Sequence, residues 1–303
     1  MPVSNSIDPN LLKNIVLLPE EEQRRVLKLL DELGSVELKE AAQQSFMGFI
    51  KLVWPAFIEG RHHKIMAEAF ERVVKGDLKR LIINMPPRHT KSEFASYLLP
   101  AWFLGQFPEK KIIQTAHTAE LSVGFGRKVR NLVDSDDYKD IFPELGLRAD
   151  SKAAGRWSTS KGGEYFAIGV GGAVTGKGAD LLIIDDPHSE QEGQSSDPGV
   201  FDKVYDWYTS GPRQRLQPGG AIIIVMTRWH KRDLTGKIIK TSVQREGMDE
   251  WEVIEFPAIM PSGKALWPEF WSLKELEALR SELPSSKWSA QYQQDPSSEE
   301  GAL

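Results

Sequence analysis

The chain has 303 residues, of which 40% are hydrophobic and 27% charged, an ordinary globular composition with enough apolar side chains for a full core. The 38 Lys and Arg against 43 Asp and Glu leave a formal charge of -5, which excludes a uniformly basic nucleic-acid binder but allows a local basic track. There is no cysteine, hence no disulfide or thiolate metal site; no run approaches the ~18 apolar residues of a membrane span, and the start MPVSNSIDPN lacks the features of a signal peptide, so an intracellular setting without membrane function is expected.

The first 54 residues read as a helical lid. Pro19, followed by Glu20, Glu21 and Glu22, opens a helix with Val26, Leu27, Leu30 and Leu33 on its apolar face, and Gly34 is expected to stop it. A second helix carries Phe46, Phe49, Ile50 and Val53 at three- and four-residue spacing, and Trp54-Pro55 ends it. A third spans about His63 to Val74 and ends near Gly76. From there short apolar runs alternate with amphipathic helices: strands are expected at 81–85, 111–116, 164–168, 181–185, 221–227 and 251–256. That alternation predicts an α/β fold with a parallel sheet. The Gly-, Ser- and Lys-rich stretch 151–178 predicts an antiparallel hairpin, 188–198 a polar loop, and the segments 273–283 and 286–293 two short helices before a polar tail.

The segment Leu81-Ile-Ile-Asn-Met-Pro-Pro-Arg-His-Thr-Lys91-Ser92 has the layout of a strand, a tight loop and a helix opened by Lys-Ser. In that layout loop and helix-start N–H groups face a β-phosphate, Lys91 neutralises phosphate oxygens, and the Ser92 hydroxyl ligates Mg²⁺. Pro87, Arg88, His89 and Thr90 complete the candidate ATP-binding loop. Met85 and Thr90 stand where the usual Walker A pattern has glycines, and a β-branched residue resists a positive φ. Taken alone, the segment is equally a Pro-rich turn before an ordinary helix. The run Leu181-Leu-Ile-Ile-Asp185-Asp186 adds an apolar strand ending in two carboxylates, as in a Walker B motif. Asp185 would then hold Mg²⁺, and Asp186 would orient and deprotonate the attacking water. A third apolar run ends in Thr227 and Arg228, suited to a polar sensor at the γ-phosphate provided that its strand lies between those at 81–85 and 181–185. Lys91, Arg88 and Asp186 are the catalytic candidates.

The runs MPPRHTKSE, YLLPAWFLGQFPEKKIIQTAHT, GGAVTGKGADLLIIDDP and IIIVMTRWH, in this order, resemble the ATPase half of tailed-phage terminase large subunits, and LWPEFWSLKELEALR through WSAQYQQDP resembles the segment that closes this half. The resemblance spans about residues 45–298. It implies an α/β P-loop NTPase of the ASCE or RecA-like kind, with a central mostly parallel sheet and an N-terminal helical lid. The expected division is 1–76 for the lid, 77–257 for the core and 258–303 for a C-terminal helical segment and tail, without the nuclease domain of full terminases. The resemblance further implies ATP and Mg²⁺ as ligands and a motor that drives double-stranded DNA into a procapsid in the host cytoplasm. Its partners would be a portal protein and a small terminase subunit, around a homo-oligomeric, pentameric ring.

By the same resemblance Arg88 contacts or senses the γ-phosphate, Thr227 belongs to the coupling motif, and His63 lies where the family places its adenine-contacting motif. Lys177 stands near the position of a trans-acting arginine in some relatives; a lysine lacks the planar fork, so Arg127, Arg130, Arg156 and Arg228 are alternative sources. His188 and His230 follow two strand ends and could approach one another, without an identifiable third metal ligand. Trp102, Trp157, Trp207, Trp229, Trp267, Trp271 and Trp288 are read as packing residues, and Lys203, Arg213, Arg215, Lys231, Arg232, Lys237 and Lys240 as a solvated helix face. A superfamily 1 or 2 helicase and a non-catalytic nucleotide-binding module remain as alternatives; the first needs a second RecA-like domain.

Overall fold

A computed structural model describes residues 14–193, 195, 197 and 199–296. The first turns of the expected lid, the terminal tail and part of the 188–198 loop lie outside the described residues. The chain begins with α1 (Glu20–Gln44), α2 (Phe46–Val53) and α3 (Arg61–Lys75). Gly34 does not end α1. It keeps a helical backbone, and the first true stop is Ser45, extended at φ -134°, whose hydroxyl accepts from Gly48 N–H to cap α2. Nor is the face from Val26 to Leu33 a buried one: Leu27 is 47% and Leu33 59% exposed. The second and third helices follow the sequence expectation, with Gly76 closing α3 in the left-handed region at φ 88°.

Eight strands form one sheet: β1 (Arg80–Asn84), β2 (Lys111–Ala116), β3 (Leu147–Ala153), β4 (Arg156–Thr159), β5 (Glu164–Gly169), β6 (Ala179–Asp185), β7 (Leu216–Met226) and β8 (Glu252–Glu255). The spatial order is β3-β4-β5-β2-β6-β7-β1-β8. Pairing is parallel from β5 through β8 and antiparallel only at the β3–β4–β5 edge, which supplies the expected hairpin. β7 therefore lies between β6 and β1, as the sensor argument required.

The strands are apolar on both faces because both faces are covered. Leu81, Ile83, Leu181, Ile183, Ile223 and Val225 face one cluster, shared with α2, α3, the phosphate-loop helix and α5 (Ala119–Val133). Ile82, Leu182, Ile184, Ile222 and Ile224 face the opposite cluster, with α8 (Gly199–Ser210) and α9 (Leu234–Gln244). The period-two alternation of a strand thus divides each buried run between two cores. The helices α2 and α3 are continuous with the first core. The C-terminal segment, including α10 (Leu273–Glu282), packs around its own small cluster of Ala258, Ala265, Leu276 and Trp288. Among the described residues no helix is long and apolar enough to cross a membrane.

Candidate nucleotide site

The carboxyl ends of β1, β6 and β7 meet at one point. After β1 the chain turns through Pro86 to Thr90, and Lys91 and Ser92 open a helix that widens into a π-turn at Glu93–Leu98 before α4 (Leu99–Gln106). Pro100 lacks the N–H that a regular α-helix needs there, and π-turns of this kind recur at functional sites. The loop holds two non-glycine residues in the left-handed region, Arg88 at φ 61° and Thr90 at φ 70°; Asp186 stands at φ 39°. The strain anticipated for Thr90 is present, and a buried histidine stabilises it.

Gly60 N–H donates to His63 Nδ1 at 2.8 Å, so the ring proton sits on Nε2, which donates to Thr90 Oγ1 at 2.6 Å. Thr90 Oγ1 in turn donates to the His89 carbonyl at 2.5 Å. His63 is wholly buried and stacks on Phe94 at 4.9 Å. Burial, then the neighbouring His62 and His89, push its pKa down to about 2, so the ring stays neutral. His63 therefore does not line the cleft; it fixes the loop from behind. His89 is buried too, with Nδ1 2.8 Å from the Pro87 carbonyl, and it shapes the loop instead of facing a ligand.

Lys91 Nζ lies 2.7 Å from Asp186 Oδ2, and the lysine side chain is 8% exposed. Burial works against its charge, but Asp186 and Asp185 outweigh it and raise its pKa. Asp186 Oδ1 accepts from Thr227 N–H at 2.8 Å, while Thr227 Oγ1 donates to the Met85 carbonyl at 3.1 Å. Thr227 thus ties the ends of β7, β6 and β1 together. Asp185 is buried and accepts from the Ser92 hydroxyl at 2.9 Å and the Ser96 hydroxyl at 2.7 Å. Burial, then the Asp186 charge, push its pKa up to about 7 against the pull of Lys91. Such a carboxylate suits a divalent cation: Ser92 Oγ and Asp185 Oδ1 form a hard oxygen pair, and Mg²⁺ takes one or two protein oxygens alongside water and phosphate.

Lys91, Ser92, Asp186 and Thr227 line a cleft of about 740 Å³ that reaches from the phosphate loop to Trp54, Ala56, Phe57 and Ile58 on one side and to Trp267 and Phe270 on the other. Its size and its mixture of an apolar body with a few polar groups fit a small organic ligand. Arg88 lines the cleft, and its guanidinium makes no ion pair among the described residues.

Two expected site cations point elsewhere. Arg228 is buried and donates to Asp233 at 2.9 Å and to Glu255 at 3.3 Å, so it braces the start of α9 and does not reach the cleft. Lys177 pairs with Glu164 at 2.5 Å and lies 4.9 Å from the Phe166 ring, which engages it within its own chain. Of the alternatives, Arg156 also pairs with Glu164. His188 and His230 each pack against the Phe201 ring, with centroids 5.1 and 4.9 Å from it, and no group of three metal-ligating side chains occurs among the described residues. In the basic set, Arg213, Arg232 and Lys237 are paired with Asp249 or Asp202.

Sequence reasoning missed four contributors. Ser96 follows Ser92 at helical spacing, a legible signal; Gln114 Nε2 donates to Ser96 Oγ at 2.9 Å from the interior of β2. Trp267 and Phe270 reach the cleft from a distant segment that no local pattern marks.

No family profile matches the sequence, and no curated protein matches it. Solved structures do match in shape. The HK97 bacteriophage large terminase superposes with a TM-score of 0.54 at 13% identity, covering 84% of this chain and 55% of that one, so the chain spans about half the length of that protein. A mutant of the Thermus phage P74-26 large terminase ATPase domain gives a TM-score of 0.50 at 13% identity, covering 80% of this chain and 96% of that domain. The chain therefore has an α/β P-loop NTPase fold, the fold of phage large terminase ATPase domains.

Proposed function

We propose that the chain is the ATP-hydrolysing motor domain of a phage terminase large subunit, with Mg²⁺-ATP bound in the cleft. One observation carries the reading: Lys91 on Asp186, beside Ser92 on Asp185, at the ends of β1 and β6 with Thr227 of the intervening strand bonded to both. On nucleotide binding Lys91 would exchange Asp186 for β- and γ-phosphate oxygens. Asp186, still held by Thr227 N–H through Oδ1, would then offer Oδ2 to the attacking water. Arg88, free in the cleft, would meet the charge that spreads over the transferred group. Ser92 and Asp185 would hold Mg²⁺, which neutralises phosphate charge when bound.

The division into lid (1–76), core (77–257) and C-terminal segment (258–303) is part of the proposal, as are double-stranded DNA, a portal, a small subunit and a pentameric ring as partners, and the host cytoplasm as location. The mutant ATPase domain from the Thermus phage, nearly all of which this chain covers, supports the assignment to a motor domain. Phosphate release from ATP, measured with and without Mg²⁺ and duplex DNA, tests the reading. Mg²⁺-dependent turnover that is lost in Lys91→Ala and in Asp186→Asn, and stimulated by DNA in the unmodified protein, is expected. Turnover that survives in both variants would refute the site.

A further inference from the structure

The proposed function uses one oxygen of Asp185; the other is held from behind. Asp185 Oδ1 faces the Ser92 hydroxyl at 2.9 Å, while Oδ2 accepts from the Ser96 hydroxyl at 2.7 Å. Ser96 Oγ in turn accepts from Gln114 Nε2 at 2.9 Å, and the same nitrogen reaches the Thr115 carbonyl at 3.3 Å. A carbonyl can only accept, so the second bond fixes which end of the amide is nitrogen. With Gln114 donating to its oxygen, Ser96 turns its own proton to Asp185. Strand register explains the meeting: β2 and β6 are parallel neighbours with Ala116 beside Asp185 and Gln114 beside Ile183, so Gln114 lies two residues back on the face that Asp185 shares. Ser96 and Gln114 are fully buried, and Asp185 is 2% exposed. Gln114 Oε1 has no partner among the described residues, which is destabilising and which an aliphatic residue would avoid. What Gln114 does supply is the N–H on Ser96.

We propose that Ser96 and Gln114 are positioning residues that set which divalent cation the site accepts: by pinning Oδ2 they leave Asp185 a single oxygen to offer, and so favour Mg²⁺ over Ca²⁺. The inference rests on the nucleotide reading above. Mg²⁺ is small, demands octahedral geometry and takes few protein oxygens, with water and phosphate completing its shell. Ca²⁺ takes about six to eight oxygens and accepts a carboxylate through both of its oxygens. A carboxylate whose second oxygen is held by a buried hydroxyl, itself held by a buried amide, cannot turn to chelate. Asp186, next in sequence, is likewise engaged on both oxygens, by Lys91 and by Thr227 N–H. The pair thus acts by restricting Asp185, without touching the cation.

Calorimetric titration with the non-hydrolysable β,γ-imido analogue of ATP, in Mg²⁺ and separately in Ca²⁺, tests this without turnover. The unmodified protein is expected to bind the analogue at least about tenfold more tightly in Mg²⁺. Ser96→Ala frees Oδ2 and should narrow that ratio by about tenfold, through weaker binding in Mg²⁺ and equal or tighter binding in Ca²⁺. Gln114→Met, similar in size but without the N–H, should move the ratio the same way by a smaller factor, and Ser96→Thr, which keeps the hydroxyl, should preserve it. A purely structural defect would lower both affinities alike and leave the ratio where it was. A ratio unchanged in both Ser96→Ala and Gln114→Met overturns the proposal, as does an unmodified protein that binds equally well in Ca²⁺ and in Mg²⁺. Failure of the unmodified protein to bind the analogue in either cation would instead sink the nucleotide reading itself, and the selectivity with it.

Discussion

Replacing Thr90 by valine should expose how the phosphate loop dispenses with its usual glycine. Valine keeps the branched shape and the left-handed backbone at φ 70°, but removes the oxygen that accepts from His63 Nε2. A buried N–H then lacks an acceptor, which costs about 1–3 kcal/mol. Thr90→Gly loses the same bond but relieves a backbone penalty of about 1–2 kcal/mol, so it should be less destabilising than Thr90→Val by about 1 kcal/mol. The bond itself is isolated by a double-mutant cycle with His63→Phe, read by urea unfolding and by nucleotide affinity. Coupling of about 1–2 kcal/mol between positions 63 and 90 is expected. Additivity within about 0.5 kcal/mol, or a glycine variant no better than the valine one, would refute the argument that His63 holds Thr90 in its strained state.

Three further outcomes follow from the same geometry. Asp233 is fully buried and receives Arg228 together with the N–H groups of Trp229 and Gly236; Asp233→Ala leaves the buried guanidinium with Glu255 alone, at 3.3 Å, and frees two backbone N–H groups, so it should cost about 3–5 kcal/mol, seen as a large fall in Tm, whereas a loss under about 1 kcal/mol would contradict it. Ser96→Ala removes a donor to Asp185 and leaves Gln114 without that partner, so a loss of about 1–3 kcal/mol is expected, along with weakened Mg²⁺-dependent turnover; unchanged stability would argue against the buried network. Burial first, and the adjoining charged forms after it, push the pKa values of His62, His63 and His89 down to about 3, 2 and 4. Below pH ~6.5 the unfolded chain takes up these protons and the native one does not, so stability falls as pH drops toward 4. Asp185, raised to about 7, runs the opposite way and offsets one of the three. The net slope is about 2 kcal/mol per pH unit between pH 6 and 5, measurable as a shift in urea midpoint; equal midpoints at the two values would show that the histidines are not buried neutral.

The sheet and the phosphate end of the site were legible because each rests on a local rule. Buried parallel strands must be apolar on both faces, so Leu181–Ile184 and Ala221–Met226 stand out, and charged or hydroxyl residues at their ends can only lie at the sheet's edge. What failed was what depends on partners from elsewhere. Gly34 could not stop α1 because a glycine ends a helix only where the backbone turns left-handed, and nothing local forces that turn. Arg228 looked like a sensor from its place at a strand end, yet Asp233, five residues on, claims it. Lys177 was matched by position, while Glu164 on the neighbouring β5 decides its direction. The aromatic wall came from a segment whose packing around Trp267 no periodicity announces.

The insertion of β7 between β6 and β1 also governs the order in which the molecule can be made. Thr227 and Met85, which it joins, are 142 residues apart, and β1 has no parallel neighbour on either side until β7 and β8 have been synthesised. Contacts of such separation are slow to form, because the loop must close before any pairing compensates for its entropy. A nascent chain that has released β6 but not β7 therefore carries Lys91 and Asp186 with no bridge between their strands, and nucleotide cannot template its folding. During that interval the apolar edges of β1 and β6 lie open to other chains, which makes early termination within β7 a route to aggregates and not to a partly active protein.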